Sequence, residues 1–137
     1  MIQVFCKEVG AGKTKELISL ANKKLINTKG DSVYIDKNSK YSKEIDRRIR
    51  FVSTGDYGTL DCESFYGLLC GIISGNYDVE NIYIDTVMNS MSYKNEEMAK
   101  LFRKLEGLSK KFNLNFYINF NFNFNNNVPE FIKEYVA

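Results

Sequence analysis

Apolar residues along the chain follow two periods, and the two alternate. Four short runs, Ile2–Cys6, Val33-Tyr34-Ile35, Ile49–Ser53 and Ile82-Tyr83-Ile84, have the length and the β-branched, aromatic character of strands. Between them the apolar positions recur at helical spacing. Leu17, Ile18, Ala21 and Leu25 predict a helix from Lys13 to about Ile26. Cys62, Phe65, Tyr66, Leu69, Ile72 and Ile73 predict one from about Leu60 to Ser74, with Thr59 or Asp61 as N-cap. Met98, Leu101, Phe102, Leu105, Leu108 and Phe112 predict the longest, Lys94–Phe112. The remaining segments are polar. Asn27-Thr28-Lys29-Gly30 reads as a turn, Asn38 to Arg48 has room for a short helix, Thr54–Gly58 is a loop, and Met88 to Tyr93 is a connecting loop.

The last strand has a pattern of its own. From near Asn113 to Phe124, Leu114, Phe116, Ile118, Phe120 and Phe122 alternate with Asn115, Tyr117, Asn119, Asn121 and Asn123. This is strict period two, unlike the two-sided apolar run of a fully buried parallel strand. The expectation is that its polar face meets water, a ligand or another subunit. An exposed Asn/Phe tract is also a candidate for self-association or partner capture. Asn125-Asn126-Asn127 then reads as a turn, and Pro129 as the first turn of a small helix, Glu130–Val136.

Strands alternating with helices predict an α/β fold. We expect a single domain over residues 1–137, in three layers, with a mostly parallel sheet of about five strands and right-handed crossovers. Ligands of such sheets sit at the carboxyl ends of the strands. Gly10–Thr14, Asp36, Asp85 and the Asn-rich end of the last strand fall at that edge.

Composition narrows the classes. With 44% hydrophobic and 26% charged residues the chain has the make-up of an ordinary globule, and a net charge of +2 gives no reason to expect a nucleic-acid partner. No apolar run reaches the length of a membrane span, and the strand-like first residues do not read as a signal peptide. Cys6, Cys62 and Cys70 are not in metal-ligand spacing and read as reduced thiols of a cytoplasmic protein. There is no histidine, which removes imidazole-based catalysis.

The candidate chemistry lies in the first fifteen residues, MIQVFCKEVGAGKTK. A strand runs into Gly10-Ala11-Gly12-Lys13-Thr14, and a helix begins at once. Such a turn offers successive backbone N–H groups and a helix N-terminus to phosphate oxygens, with Lys13 placed for the β- and γ-phosphates and Thr14 for Mg2+. The eight-residue form G-x-x-x-x-G-K-[ST] has glycine where this chain has Lys7, so a side chain stands where the loop leaves the strand. Asp85 ends an apolar strand, as does Asp36. Lys40, Lys43, Arg47, Arg48 and Arg50 form a basic cluster diluted by Glu44 and Asp46, which reads first as a solvated charged face.

The segments AGKTKELI, VYID and NIYID, the last followed by a helix and a final strand, resemble the P-loop NTPase superfamily, in its RecA-like and thymidine-kinase-like branch. The chain is also similar to small stand-alone bacterial P-loop proteins, some labelled twitching-motility ATPases, although those motors carry histidines in their motifs. The resemblance implies a Walker A phosphate site at Lys7, Gly10, Ala11, Gly12, Lys13, Thr14 and Lys15. It implies Mg2+ bound with ATP or GTP and held by Thr14 and Asp85. Many hydrolases of this architecture have glutamate where this chain has Thr86, so slow or partner-dependent hydrolysis is expected. Glu8, Asp56, Glu63 and Asn119 are substitutes without support from spacing, and Asn119 or Asn121 could sense the γ-phosphate. A degenerate P-loop fold acting as an interaction module and a small nucleoside or nucleotide kinase are the alternatives.

Overall fold

The computed structural model describes residues 1–8, 12–122 and 128–137. Five parallel strands form one sheet: β1 (Ile2–Glu8), β2 (Asp31–Asp36), β3 (Ile49–Ser53), β4 (Val79–Ile84) and β5 (Asn115–Phe122), in the order β1-β5-β4-β2-β3. The helices are α1 (Lys13–Lys24), α2 (Cys62–Gly75), the short α3 (Val87–Ser90), α4 (Asn95–Phe112) and α5 (Glu130–Lys133). The domain is thus α/β, with every described strand pair parallel.

Two apolar cores separate the layers. On one face Leu17, Ile18 and Ala21 of α1 pack with Tyr34, Ile45, Ile49, Tyr83 and Tyr117. On the other, α2, α4 and α5 bring Phe65, Leu69, Met98, Leu101, Phe102, Leu105 and Ile132 against Val33, Ile35, Ile82, Ile84, Phe116 and Ile118. Strand alternation divides the residues, since odd and even positions of a strand point to opposite faces.

Local signals set the helix ends. The Asp61 carboxylate accepts from Ser64 N at 2.8 Å, which caps α2 and decides between the two expected caps. Glu96 and Glu97 lie in the first turn of α4 and Lys110 and Lys111 in its last, matching the helix dipole. Asn113 closes α4 in the left-handed conformation, φ 52°.

The structure corrects several expectations. Lys7 is not in a loop: β1 continues to Glu8, with Lys7 paired to Asn121 and Glu8 to Phe122, because β5 supplies a partner that far. Segment 38–48 holds only a 3-10 turn, Ser42–Glu44, and residues 87–90 form α3 where a loop was expected. The C-terminal helix stops at Lys133, and the tail lies along β1, where Val4 N donates to Tyr135 O and Ala137 N to Val4 O.

The largest correction concerns β5. It is an interior strand, hydrogen-bonded to β1 and to β4, and Phe116 to Phe120 are buried. Its polar face does not meet water over this stretch, because α1 covers it. The Asn115 amide donates to Asn81 Oδ1, and Tyr117 stacks on Tyr83 with ring centroids 5.1 Å apart. Residues 116–120 therefore have neither a free edge nor a free face for a second subunit or protein partner. The rest of the Asn/Phe tract, residues 123–127, and the turn expected there lie outside the described residues.

Candidate functional site

Helix α1 starts at the carboxyl end of β1. Gly12 precedes it with φ 72° and ψ 25°, a left-handed conformation that favours glycine, and as the N-cap it brings no side chain to the first turn. Lys13, the first helical residue, is buried. Burial pushes the Cys6 thiol up, and the Lys13 charge opposes that rise. Thr14 is half-buried, and its hydroxyl has no hydrogen-bond partner among the described residues. Lys15 is exposed. Gly10 and Ala11, and the side chains of Lys7 and Glu8, lie outside the described residues.

Asp85 follows β4 and is 1% exposed. Its Oδ1 accepts from Asn119 Nδ2 at 3.1 Å and its Oδ2 from Tyr34 OH at 3.0 Å. The same Asn119 amide nitrogen donates to the Lys13 carbonyl, also at 3.1 Å. Asn119 thus ties the first residue of α1 to the carboxylate at the end of β4 from β5, the strand that lies between β1 and β4. Burial first, then the Asp85 charge and hydrogen bond, hold the Tyr34 phenol far above its usual range, so it remains a donor at any ordinary pH.

Asp36, at the end of β2, is the neighbouring buried carboxylate. Its Oδ1 accepts from Thr86 Oγ1 at 2.5 Å and from Lys37 N at 2.7 Å. Burial, assisted by the charge of Asp85, raises its pKa above 3.8, and those two hydrogen bonds oppose the rise. Thr86 takes a left-handed conformation, φ 54°, and spends its hydroxyl on Asp36. Asp56 and Glu63 are exposed and, among the described residues, make no bond to this cluster.

The position of the cluster follows from topology. The connection after β1 runs over one face of the sheet through α1, whereas the chain after β5 resumes in α5 on the opposite face. The connections after β2 and β4 diverge in the same way. Crevices open where neighbouring strands send their chains to opposite faces, and ligands of open α/β sheets occupy them. Lys13, Asn119 and Asp85 lie at the first divergence, and Asp36, Thr86 and Asp85 at the second.

The sequence reading singled out Lys13, Asp85 and Asn119, and the structure brings these three together. It missed the Tyr34–Asp85 and Thr86–Asp36 bonds. A signal for both was present: β2, β4 and β5 each carry an apolar residue, then Tyr-Ile, then Asp or Asn, at Val33–Asp36, Ile82–Asp85 and Phe116–Asn119. The strands pair with Tyr34 beside Tyr83 and Tyr83 beside Tyr117. Phe51, Tyr34, Tyr83 and Tyr117 consequently form a row of stacked rings beneath α1, at 6.4, 6.1 and 5.1 Å. The polar residues two positions after Tyr34, Tyr83 and Tyr117 share that face at the carboxyl edge. Lys40, Lys43, Arg47, Arg48 and Arg50 are exposed and make no bond to the cluster among the described residues.

No protein-family model matches the chain, and no curated protein matches it. Among the described residues no helix is long and apolar enough to cross a membrane.

Proposed function

We propose that the chain is a P-loop-type domain that binds ATP or GTP with Mg2+ and hydrolyses it slowly or only with a partner. The observation that carries this reading is the hydrogen-bonded link from Lys13 through Asn119 to Asp85 at a divergence of the sheet. It joins the start of a helix whose N-cap is glycine, and a helix start favours anions, to a buried carboxylate, which favours cations. A nucleotide phosphate chain carrying Mg2+ is a ligand class with both signs of charge.

The donor set suits a hard cation. Asp85 and Asp36 accept from neutral donors, each carboxylate oxygen can accept more than one partner, and the Thr14 hydroxyl is uncommitted among the described residues. Among the described residues no three acidic or cysteine side chains group together. Mg2+ keeps several waters and takes phosphate oxygens in place of a full protein cage, so Thr14 and Asp85 would be enough protein ligands for it. In this reading Mg2+ neutralises phosphate charge, Lys13 pairs with phosphate oxygens, and Asn119 fixes the start of α1 relative to Asp85. Thr86, committed to Asp36, does not orient an attacking water, which supports slow hydrolysis. A cytoplasmic location accords with three free thiols.

One observation favours a second reading, phosphoryl transfer to a small acceptor. A cavity of about 270 Å3, lined by Lys37, Thr54, Thr59, Leu60, Val87 and Met91, adjoins the ends of β2 and β4. Equilibrium titration with fluorescent ATP and GTP analogues tests the first reading, with saturable Mg2+-dependent binding of at least one expected and absence of binding for both refuting it. Phosphate transfer to a panel of nucleosides tests the second.

A further inference from the structure

A separate cavity, about 710 Å3, lies toward the amino-terminal ends of the strands, away from Asp85. It is within the ~300–1,000 Å3 range of small-molecule sites. β3 is the outer strand of the sheet, and the cavity lies between it and α2. Val52 forms part of its floor, and Leu68 and Ile72 of α2 form an apolar wall. Gly71 and Gly75 complete that wall, and a Cβ built on either meets nothing within 4 Å. No contact within the fold calls for glycine at these positions, although glycine is a poor helix former.

The mouth is cationic. Arg47, Arg48 and Arg50 line it against one carboxylate, Asp31, which already accepts from Asn76 Nδ2 at 2.8 Å. Arg48 is held by Asp46 through two hydrogen bonds, of 3.0 and 2.9 Å. Arg47 and Arg50 make no ion pair with any described residue. Two uncommitted guanidinium groups beside an apolar wall match a ligand with an apolar body and an anionic end.

We propose that this cavity binds a small amphipathic anion, with an acyl or aryl body against Leu68, Ile72 and Val52 and a carboxylate, sulfonate or phosphate group on Arg47 and Arg50. The site is independent of the nucleotide reading. The test uses the full chain and 8-anilinonaphthalene-1-sulfonate, followed by fluorescence, with decanoate as competitor. One saturable site is expected, displaced by decanoate. The double variant Arg47→Ala/Arg50→Ala should weaken binding at least about tenfold, and Gly71→Leu, which fills the cavity, should abolish it. Both variants should keep wild-type circular dichroism and the wild-type response to Mg-ATP, whatever that response is. Absence of saturable binding, or affinities unchanged in both variants, would overturn the proposal.

Discussion

Asn119 is the residue whose removal tests the geometry of the site most sharply, because one amide serves two buried acceptors. Asn119→Leu keeps the approximate volume and removes both donations. The bond to the Lys13 carbonyl joins neutral groups and contributes about 1 kcal/mol, whereas the bond to Asp85 is charge-assisted and contributes ~1.5–3 kcal/mol. Asn119 and Asp85 are almost fully buried, so water does not replace the lost donor. The expected loss of stability is therefore about 2–4 kcal/mol. The chain has no tryptophan, so urea unfolding is followed by far-ultraviolet circular dichroism at neutral pH. A double-mutant cycle isolates the charged bond. In an Asp85→Ala background the same substitution should cost only about 1 kcal/mol, since only the bond to the Lys13 carbonyl then remains to be lost. A loss below about 0.5 kcal/mol in the wild-type background, the level of an ordinary surface substitution, would show that the link does not exist as described.

The Tyr83 hydroxyl is buried without a hydrogen-bond partner among the described residues, so Tyr83→Phe should be neutral or stabilise by about 1 kcal/mol in urea unfolding; a clear loss would contradict that. Two glycine substitutions should differ in sign. Gly30→Ala places a Cβ 2.3 Å from the Asp78 carbonyl oxygen and should destabilise by ~1–3 kcal/mol, whereas Gly71→Ala meets open space within a helix and should stabilise by up to ~1 kcal/mol. The Arg48 guanidinium, with its hydrogen bonds to Asp46, lowers that carboxyl to about 2 from 3.8. The folded pKa is depressed, so the pair's contribution is present above pH 3.8 and is lost as pH falls through about 2. Carboxyl-carbon NMR titration should show the Asp46 midpoint returning toward 3.8 in Arg48→Ala.

The layers were legible because periodicity reports burial. The α4 stripe and the strand ends Asp36 and Asp85 lie where the apolar pattern predicts. The character of β5 was not legible, because period two also arises when both faces are buried and one carries hydrogen-bonded side chains. Asn115 bonds Asn81, Tyr117 stacks on Tyr83 and Asn119 bonds Asp85, so polar residues occupy an interior face without meeting water. Which residues share the candidate site depended on strand order. Lys13 and Asp85 are linked only because β5 lies between β1 and β4, a non-sequential arrangement that no local pattern encodes. Lys7 was misplaced for the same reason: its membership in β1 depends on a partner strand more than a hundred residues away.

The central claim is that the start of α1 and Asp85 together receive a nucleotide and Mg2+. Thermal unfolding of the wild type and of Lys13→Met, with ATP, GTP and ADP in the presence and absence of Mg2+, tests it most directly. A ligand at about one hundred times its Kd adds ~2.7 kcal/mol to the folded state. At the size of this chain that is a rise of roughly 5–15 °C. The account predicts such a rise for the wild type with Mg-ATP or Mg-GTP and none for Lys13→Met. A wild type whose Tm is the same with and without millimolar Mg-nucleotide, or a Lys13→Met protein that responds as the wild type does, would contradict it.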